Sequence, residues 1–163
     1  MTFSKLFMHV RGIVQHFNEE KYWRRRECVI NNDKIPKILK IYYLLYIKRC
    51  DAFNNASLGT YLGGGACFKD KPNFVHGLYG IIVAHDAVIG KNCVLYHQVT
   101  IGQNGGPGAP IIGDNVTIGA GAKIIGKVHV GNNCKIGANA VVYKDVPDNT
   151  TVVSLNQYLY KEN

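Results

Sequence analysis

From Val83 to Pro147 an aliphatic residue returns at every sixth position, with one interruption. The openers are Val83, Ile89, Leu95 and Ile101, then Ile112, Ile118, Ile124, Val130, Ile136 and Val142. Four places later stands a small or β-branched residue: Ala87, Cys93, Val99, Val116, Ala122, Val128, Cys134, Ala140 and Val146. A sandwich strand would alternate with a period of two, between loops of variable length. A short fixed period marks a β-solenoid instead. In a triangular coil of roughly 18 residues, each of three short parallel strands sends one side chain inward. The opener is expected to fill the interior, and the small residue to sit near a corner. Glycine in second place (Gly90, Gly102, Gly113, Gly119, Gly131, Gly137) is read as permitting a bend that other residues resist. Asparagine turns such as Asn132-Asn133 tolerate left-handed backbone angles.

The pattern ahead of the repeats is different. Phe3, Leu6, Phe7, Val10, Ile13, Val14 and Phe17 fall near helical spacing, which predicts a first helix over 1–17. A second short helix is predicted over Glu19–Glu27. Asn31-Asn32-Asp33 signals the start of a third over Lys34–Arg49. Its lysines, Lys34, Lys37 and Lys40, leave a broad apolar side to pack on the solenoid or on a neighbouring subunit. The expected division is a helical N-terminal region over 1–50, a solenoid domain over 51–153 and a tail over 154–163, the chain leaving the coils from about Val152. Leu58-Gly59 and Tyr61 to Ala66 read as imperfect opening coils. Eleven residues separate Ile101 from Ile112 where the period asks for six. A loop over 103–110 is therefore ejected from the scaffold, a usual place for function.

Charge and cysteine narrow the partners. The net charge is +8, and residues 1–50 hold eleven Lys or Arg against four acids. The basic face thus belongs to the N-terminal region. A solvated helix face is its plain reading and a membrane-surface contact the sharper one. No nucleic-acid-binding fold accompanies it. No apolar run reaches the length of about 18 residues that a spanning helix needs, and Lys5, His9, Arg11 and His16 interrupt any secretory leader. The five cysteines form no CxxC or metal spacing, so free thiols in a reducing cytoplasm are expected.

A bare solenoid carries no reactive group, so chemistry must come from outward side chains, and histidine is the natural base near neutral pH. Of six histidines, His9 and His16 read as structural or surface groups, and His129 as a surface group on a late coil. His76, His85 and His97 precede the ejected loop. His85 and His97 share the third place of their hexads but stand two hexads apart, hence on different sides of the triangle. Spacing prefers His76 or His97 and does not separate them.

The segments His76-Gly-Leu-Tyr-Gly-Ile-Ile-Val, Ala87-Val-Ile-Gly-Lys-Asn, Gln98-Val-Thr-Ile-Gly, Ile112-Gly-Asp-Asn, Ile118-Gly-Ala-Gly-Ala-Lys-Ile-Ile-Gly and Lys144-Asp-Val-Pro-Asp-Asn together resemble the hexapeptide-repeat acyltransferases. The branch they resemble is that of serine acetyltransferase and its relatives in surface-polysaccharide gene sets. The resemblance covers roughly residues 56–153. It implies a mainly β fold, a left-handed parallel β-helix with a short α-helical N-terminal region. It also implies a homotrimer with active sites between subunits, acetyl-CoA as donor and no metal. His76 matches the family's base, which takes the proton of an acceptor hydroxyl. Gly119, Ala120, Gly121 and Ala122, with Ala138 on the next coil, match the stretch along which the pantetheine arm lies. Lys135 and Lys144 are candidates for the nucleotide phosphates. His97, Gln98 and Tyr61 are candidates for the acceptor side.

The departures bear on the acceptor. The family's acid before the base is here Val75. Its acid about fifteen residues earlier falls near Tyr61, and its second histidine, in the loop before a proline, falls at Ala109. The sequence reading therefore prefers a sugar hydroxyl of a surface polysaccharide or its precursor. Serine O-acetylation is the alternative, and a non-catalytic scaffold a further one. A zinc site of the γ-carbonic anhydrase kind needs a histidine spacing that His76, His85 and His97 supply poorly.

Overall fold

The computed structural model describes residue 14, residues 16–31 and residues 34–154. Most of the first predicted helix and most of the predicted tail lie outside the described residues. Among the described residues two helices precede thirteen short strands: α1 (Glu19–Asn31), α2 (Lys37–Phe53), β1 (Cys67–Phe68), β2 (Asn73–Leu78), β3 (Ile82–Val83), β4 (Val88–Ile89), β5 (Val94–Leu95), β6 (Thr100–Gly102), β7 (Ile111–Ile112), β8 (Thr117–Ile118), β9 (Lys123–Ile125), β10 (His129–Val130), β11 (Lys135–Ile136), β12 (Val141–Val142) and β13 (Thr151–Val152). All pairings between strands are parallel, and they form three sheets. Face one is β1-β4-β7-β10, face two is β2-β5-β8-β11-β13, and face three is β3-β6-β9-β12. The chain visits the faces in the order one, two, three, so each coil has three corners.

The six-residue pattern maps onto this directly. Every opener from Val83 to Val142 is buried, and so are the nine small or β-branched residues four places on, from Ala87 to Val146. The face two strand Thr151–Val152 continues the stack by pairing with Lys135–Ile136, so the chain leaves the solenoid later than Val152. The N-terminal edge starts with Ser57, whose amide donates to the Ile81 carbonyl at 2.8 Å and whose carbonyl accepts from Val83 at 2.7 Å.

Asparagine turns the corner between faces one and two. Asn92, Asn115, Asn133 and Asn149 all hold left-handed angles, with φ from 52° to 59°. Their amides form a ladder, Asn92 donating to Asn115, Asn115 to Asn133 and Asn133 to Asn149 at 3.3, 3.0 and 3.1 Å. The second-place glycines do a different job from the one expected. Gly119 does not hold a left-handed angle, and a Cβ there would stand 2.7 Å from the amide nitrogen of Ala138 on the next coil. Glycine is needed because two rungs touch.

Helix α1 covers the first coil. Trp23 packs edge-on against Phe68 and parallel to Phe74, and the buried Arg26 guanidinium donates to Thr60 Oγ1 at 2.9 Å and to the carbonyls of Leu58 and Ala66. Both helices differ from their expected bounds. Pro36 caps α2, its carbonyl accepting from Leu39 and Lys40, so the helix begins at Lys37. Proline fixes φ and lacks an amide donor, which suits it to a helix start. The start signal at Asn31 instead ends α1. Part of the basic charge is absorbed internally: the Arg25 guanidinium lies 4.1 Å from the Tyr46 ring centre, and the Lys21 ammonium 5.1 Å from it.

Helix α2 buries Asp51, whose Oδ1 accepts from the Tyr22 hydroxyl at 2.8 Å. Burial pushes this carboxyl up from its ordinary 3.8 to about 6, against the opposing pull of the Tyr22 hydroxyl and of Lys48. The folded chain thus binds a proton more tightly than the unfolded chain does. Stability from this group is fully present below about pH 4 and is lost as pH rises through about 6, by on the order of 2–3 kcal/mol. Asp51→Asn is expected to flatten that slope. Urea unfolding of both proteins at pH 4 and pH 7 reads it, and equal slopes would refute it.

Candidate active site

The corner between faces two and three is built from four stacked turns. The Gln98 amide donates to the Tyr79 carbonyl at 2.9 Å, Gly121 to His97 at 3.0 Å and Asn139 to Ala120 at 2.8 Å. Each turn passes through one left-handed residue: Gly80, Gln98, Gly121 and Asn139, with φ of 66°, 59°, 70° and 56°. Gln98 is the unusual member, since a residue with a long side chain rarely adopts that angle.

His76 lies in β2, the longest strand, on the way into this corner. Its exposed ring meets the His97 ring edge to face at 5.1 Å, and the Tyr96 ring at 5.9 Å. His97 is half-buried, and its Nδ1 is wholly buried with no hydrogen-bond partner. The two histidines that spacing does not separate thus stand side by side. They open on a cleft of about 540 Å³ whose other walls are Val14, His16, Phe53, Asn54 and Tyr79. A second hollow of about 380 Å³ continues along the same corner, lined by Asn55, Tyr79, Gly80, Gln98, Gly121, Lys123 and Asn139. The Lys123 ammonium crosses this corner to donate to the Gln98 carbonyl at 2.7 Å.

His16, read from the sequence as a structural or surface group, is exposed at this cleft. It stacks on Phe53 at 3.9 Å between ring centres, with a left-handed φ of 50°, and both rings wall the His76 cleft. Nothing in sequence spacing links His16 to His76, because the link runs through the packing of α2 on the solenoid. Tyr79 carried a weak signal, standing in the glycine-flanked run after His76. Among the described residues no three of His, Cys, Asp or Glu are arranged to hold a metal ion.

The arrangement is therefore an imidazole pair at the mouth of a largely polar groove that runs along the stacked turns. Residues 109–144 match the family of bacterial transferase hexapeptides (six repeats). A serine acetyltransferase of Synechococcus elongatus is 41% identical over 83 residues, covering 49% of this chain and 34% of that protein. A Neisseria gonorrhoeae serine acetyltransferase solved with serine superposes with a TM-score of 0.65 at 29% identity, over 83% of this chain and 52% of that one. Residues 109–144 thus carry the hexapeptide repeat, and the solenoid resembles the serine acetyltransferase-like branch of the hexapeptide-repeat acyltransferases. A Brucella abortus serine acetyltransferase solved with coenzyme A gives a TM-score of 0.66 at 27% identity, over 84% of this chain and 52% of that one. The matched segment spans about a third of the curated relative's length, and this chain covers about half of the two solved ones. The coil is left-handed, as in those structures.

The solenoid places its other candidate residues unevenly. Gly119, Ala120 and Gly121 border the corner together with Gln98, and Ala138 is exposed one coil on. Ala122 does not belong with them: it is fully buried in the interior and offers a ligand no surface. Lys135 points outward from face two, two residues ahead of the corner. Lys144 lies at the far end of face three, over the Tyr143 ring, away from the glycine stretch in the same chain. Tyr61 also stands elsewhere, its ring 5.9 Å from His85 at the corner between faces three and one. His85 is on a different side of the triangle from His97, as expected.

The ejected loop leaves from that same corner. Gln103 Nε2 donates to Asp86 Oδ2 at 3.2 Å, and the Pro110 carbonyl accepts from Val88 as the chain re-enters face one. His97 leads toward the loop in sequence, yet the width of face three separates them in the same chain.

Proposed function

We propose that the protein is an acetyl-CoA-dependent O-acetyltransferase acting on L-serine. The observation that carries the reading is the His76–His97 pair, open on a cleft that runs on into the Gln98–Gly121–Asn139 groove. His76 Nε2 or Nδ1 takes the proton of the serine hydroxyl as its oxygen attacks the thioester carbonyl. A hydroxyl is far too weak an acid to ionise alone near pH 7, so a positioned base is worth about 10²–10⁴-fold. The tetrahedral oxyanion calls for N–H donors. When it collapses, the C–S bond breaks, and the thiolate recovers the proton from the imidazolium.

Serine takes the place of the sugar preferred from the departures at Val75, Tyr61 and Ala109. The matched relatives are serine acetyltransferases, and one was solved with serine. The donor arm is placed along Gly119–Gly121 and Ala138, with Lys135 near the nucleotide end. His97 and Gln98 are placed on the acceptor side.

A closed trimer suits the exposed side chains. Ile82 and Val141 point out of face three, with Tyr79 at one end and Tyr143 at the other, all exposed. The loop and His76 occupy opposite ends of that face, so a loop that serves a cleft must come from another copy. Five free thiols fit a reducing compartment, and we place the protein in the cytoplasm.

Incubation with acetyl-CoA and a panel of serine and sugar acceptors, followed by thiol release and product mass, tests the reading. Turnover is expected with L-serine above any sugar. Turnover confined to a sugar would restore the polysaccharide reading. Absence of turnover together with absence of coenzyme A binding would leave a scaffold.

A further inference from the structure

The His76 cleft is short of charge. Among the described residues its walls carry imidazole, aromatic, aliphatic and amide groups, but no carboxylate, lysine or arginine. Serine enters as a zwitterion, and a charge stripped of water without a partner is costly. Both positions where the branch carries acids are neutral here, at Val75 and Tyr61.

A carboxylate does stand at the corner where the loop leaves. Asp86 accepts from Gln103 Nε2 at 3.2 Å, and His85 Nε2 lies 3.1 Å from the same carboxylate. Both contacts fall on Oδ2, and the side chain is 56% exposed. It lines an open hollow of about 570 Å³ with Lys48, Tyr61 and His85. Lys48 is engaged elsewhere, 4.0 Å from Asp51. Asp86 is therefore oriented by the Gln103 amide and the neighbouring His85 ring, with no lysine or arginine paired to it among the described residues. Face three separates this corner from His76 within one chain. A ring of three copies uses a heterologous contact, which sets one patch against a different patch. Closure through the exposed apolar residues of face three puts the Tyr79 corner of one copy beside the loop corner of the next. Gln103 is the first residue of the loop, so whatever brings the loop to a neighbour's cleft brings Asp86 with it.

We infer that Asp86 holds the acceptor's ammonium group in the His76 cleft of a neighbouring copy. The inference rests on the proposed serine acetylation and adds the residue that selects an amino acid over other alcohols. It also gives the sequence departures a compensation, since the charge lost at two positions reappears at a third.

The test uses the full-length chain and steady-state kinetics. Asp86→Asn is expected to raise the KM for L-serine at least about tenfold, because removing one partner of a desolvated charge pair costs that much or more. The KM for acetyl-CoA should stay within about twofold, since the donor groove is untouched. The preference for L-serine over 3-hydroxypropionate, which has the hydroxyl and carboxylate but no amine, should vanish. A merely structural role would slow both acceptors equally. Asp86→Glu should recover part of the preference. Mixed trimers from co-expressed, differently tagged H76A and D86N chains should regain about one intact site in three, because one interface joins His76 to a neighbour's Asp86. An unchanged serine KM in D86N, or no recovery in the mixed trimers, overturns the inference alone. No transfer to serine by the unaltered protein overturns the functional reading and this inference with it.

Discussion

The H76A variant is expected to bind coenzyme A as the unaltered protein does and to turn over L-serine at least about a hundredfold more slowly. The size of the loss follows from the reaction. Water at pH 7 is a poor acceptor for a hydroxyl proton, and removing the imidazole leaves only positioning by the cleft. The expected selectivity of the loss follows from the structure. His76 is exposed at the mouth of the cleft, and among the described residues its ring pairs with those of His97 and Tyr96. It belongs to no part of the buried core, so the variant should unfold within a few tenths of a kcal/mol of the parent, as surface substitutions usually do. The groove along Gly121 and Asn139 lies on other coils and should bind donor unchanged. Thiol-release kinetics and calorimetric titration with coenzyme A check the two halves. The decisive companion is H97A, because the rings lie within 5.1 Å and both face the same opening. A crippled H97A beside a nearly active H76A would move the base to residue 97.

The repeat was legible because it is a local rule. An interior position in a triangular coil admits one side chain, so Ile89, Leu95, Ile101, Ile112 and Ile118 announce themselves one after another, and each is buried. The same rule sets the corners, which is why His85 and His97 were separable by counting. Other features depend on distances no count supplies. Nothing in the sequence around Gln98 signals that it turns a corner in the left-handed region. Ala122 and Gly121 are adjacent in one matched motif, yet one faces the core and the other the groove, a distinction the hexad phase contained and the motif obscured. His16 and Phe53 reach the cleft because helix α2 ends beside β2. Asp86 carries no sequence signal, because a lone acid in a hexad looks like any solvated turn residue. The helix limits differ for a chemical reason: Pro36 sets where α2 begins, and Asn31 of the expected start signal closes α1 instead.

The largest stability effect is expected from Ile118→Ala. Ile118 opens its hexad on β8 in face two and is fully buried. It stacks between Leu95 on the coil before and Ile136 on the coil after. A rung of a solenoid touches chiefly its two neighbours, so a hole in a middle rung loses contacts on both sides at once. The coil also collapses poorly around a cavity, since the glycines already bring adjacent rungs into contact: Gly119 leaves no space for a Cβ against Ala138. The backbone cannot move closer to fill the gap. The cost should accordingly fall in the upper part of the range of about 2–5 kcal/mol seen for large-to-alanine changes in cores. Thr117→Ala, on the outward side of the same strand, should change stability by less than about 0.5 kcal/mol. Urea unfolding of the three proteins at one chain concentration measures the difference. A loss below about 1 kcal/mol for Ile118→Ala would mean that the coils repack independently of one another, which the shared rung contacts do not permit.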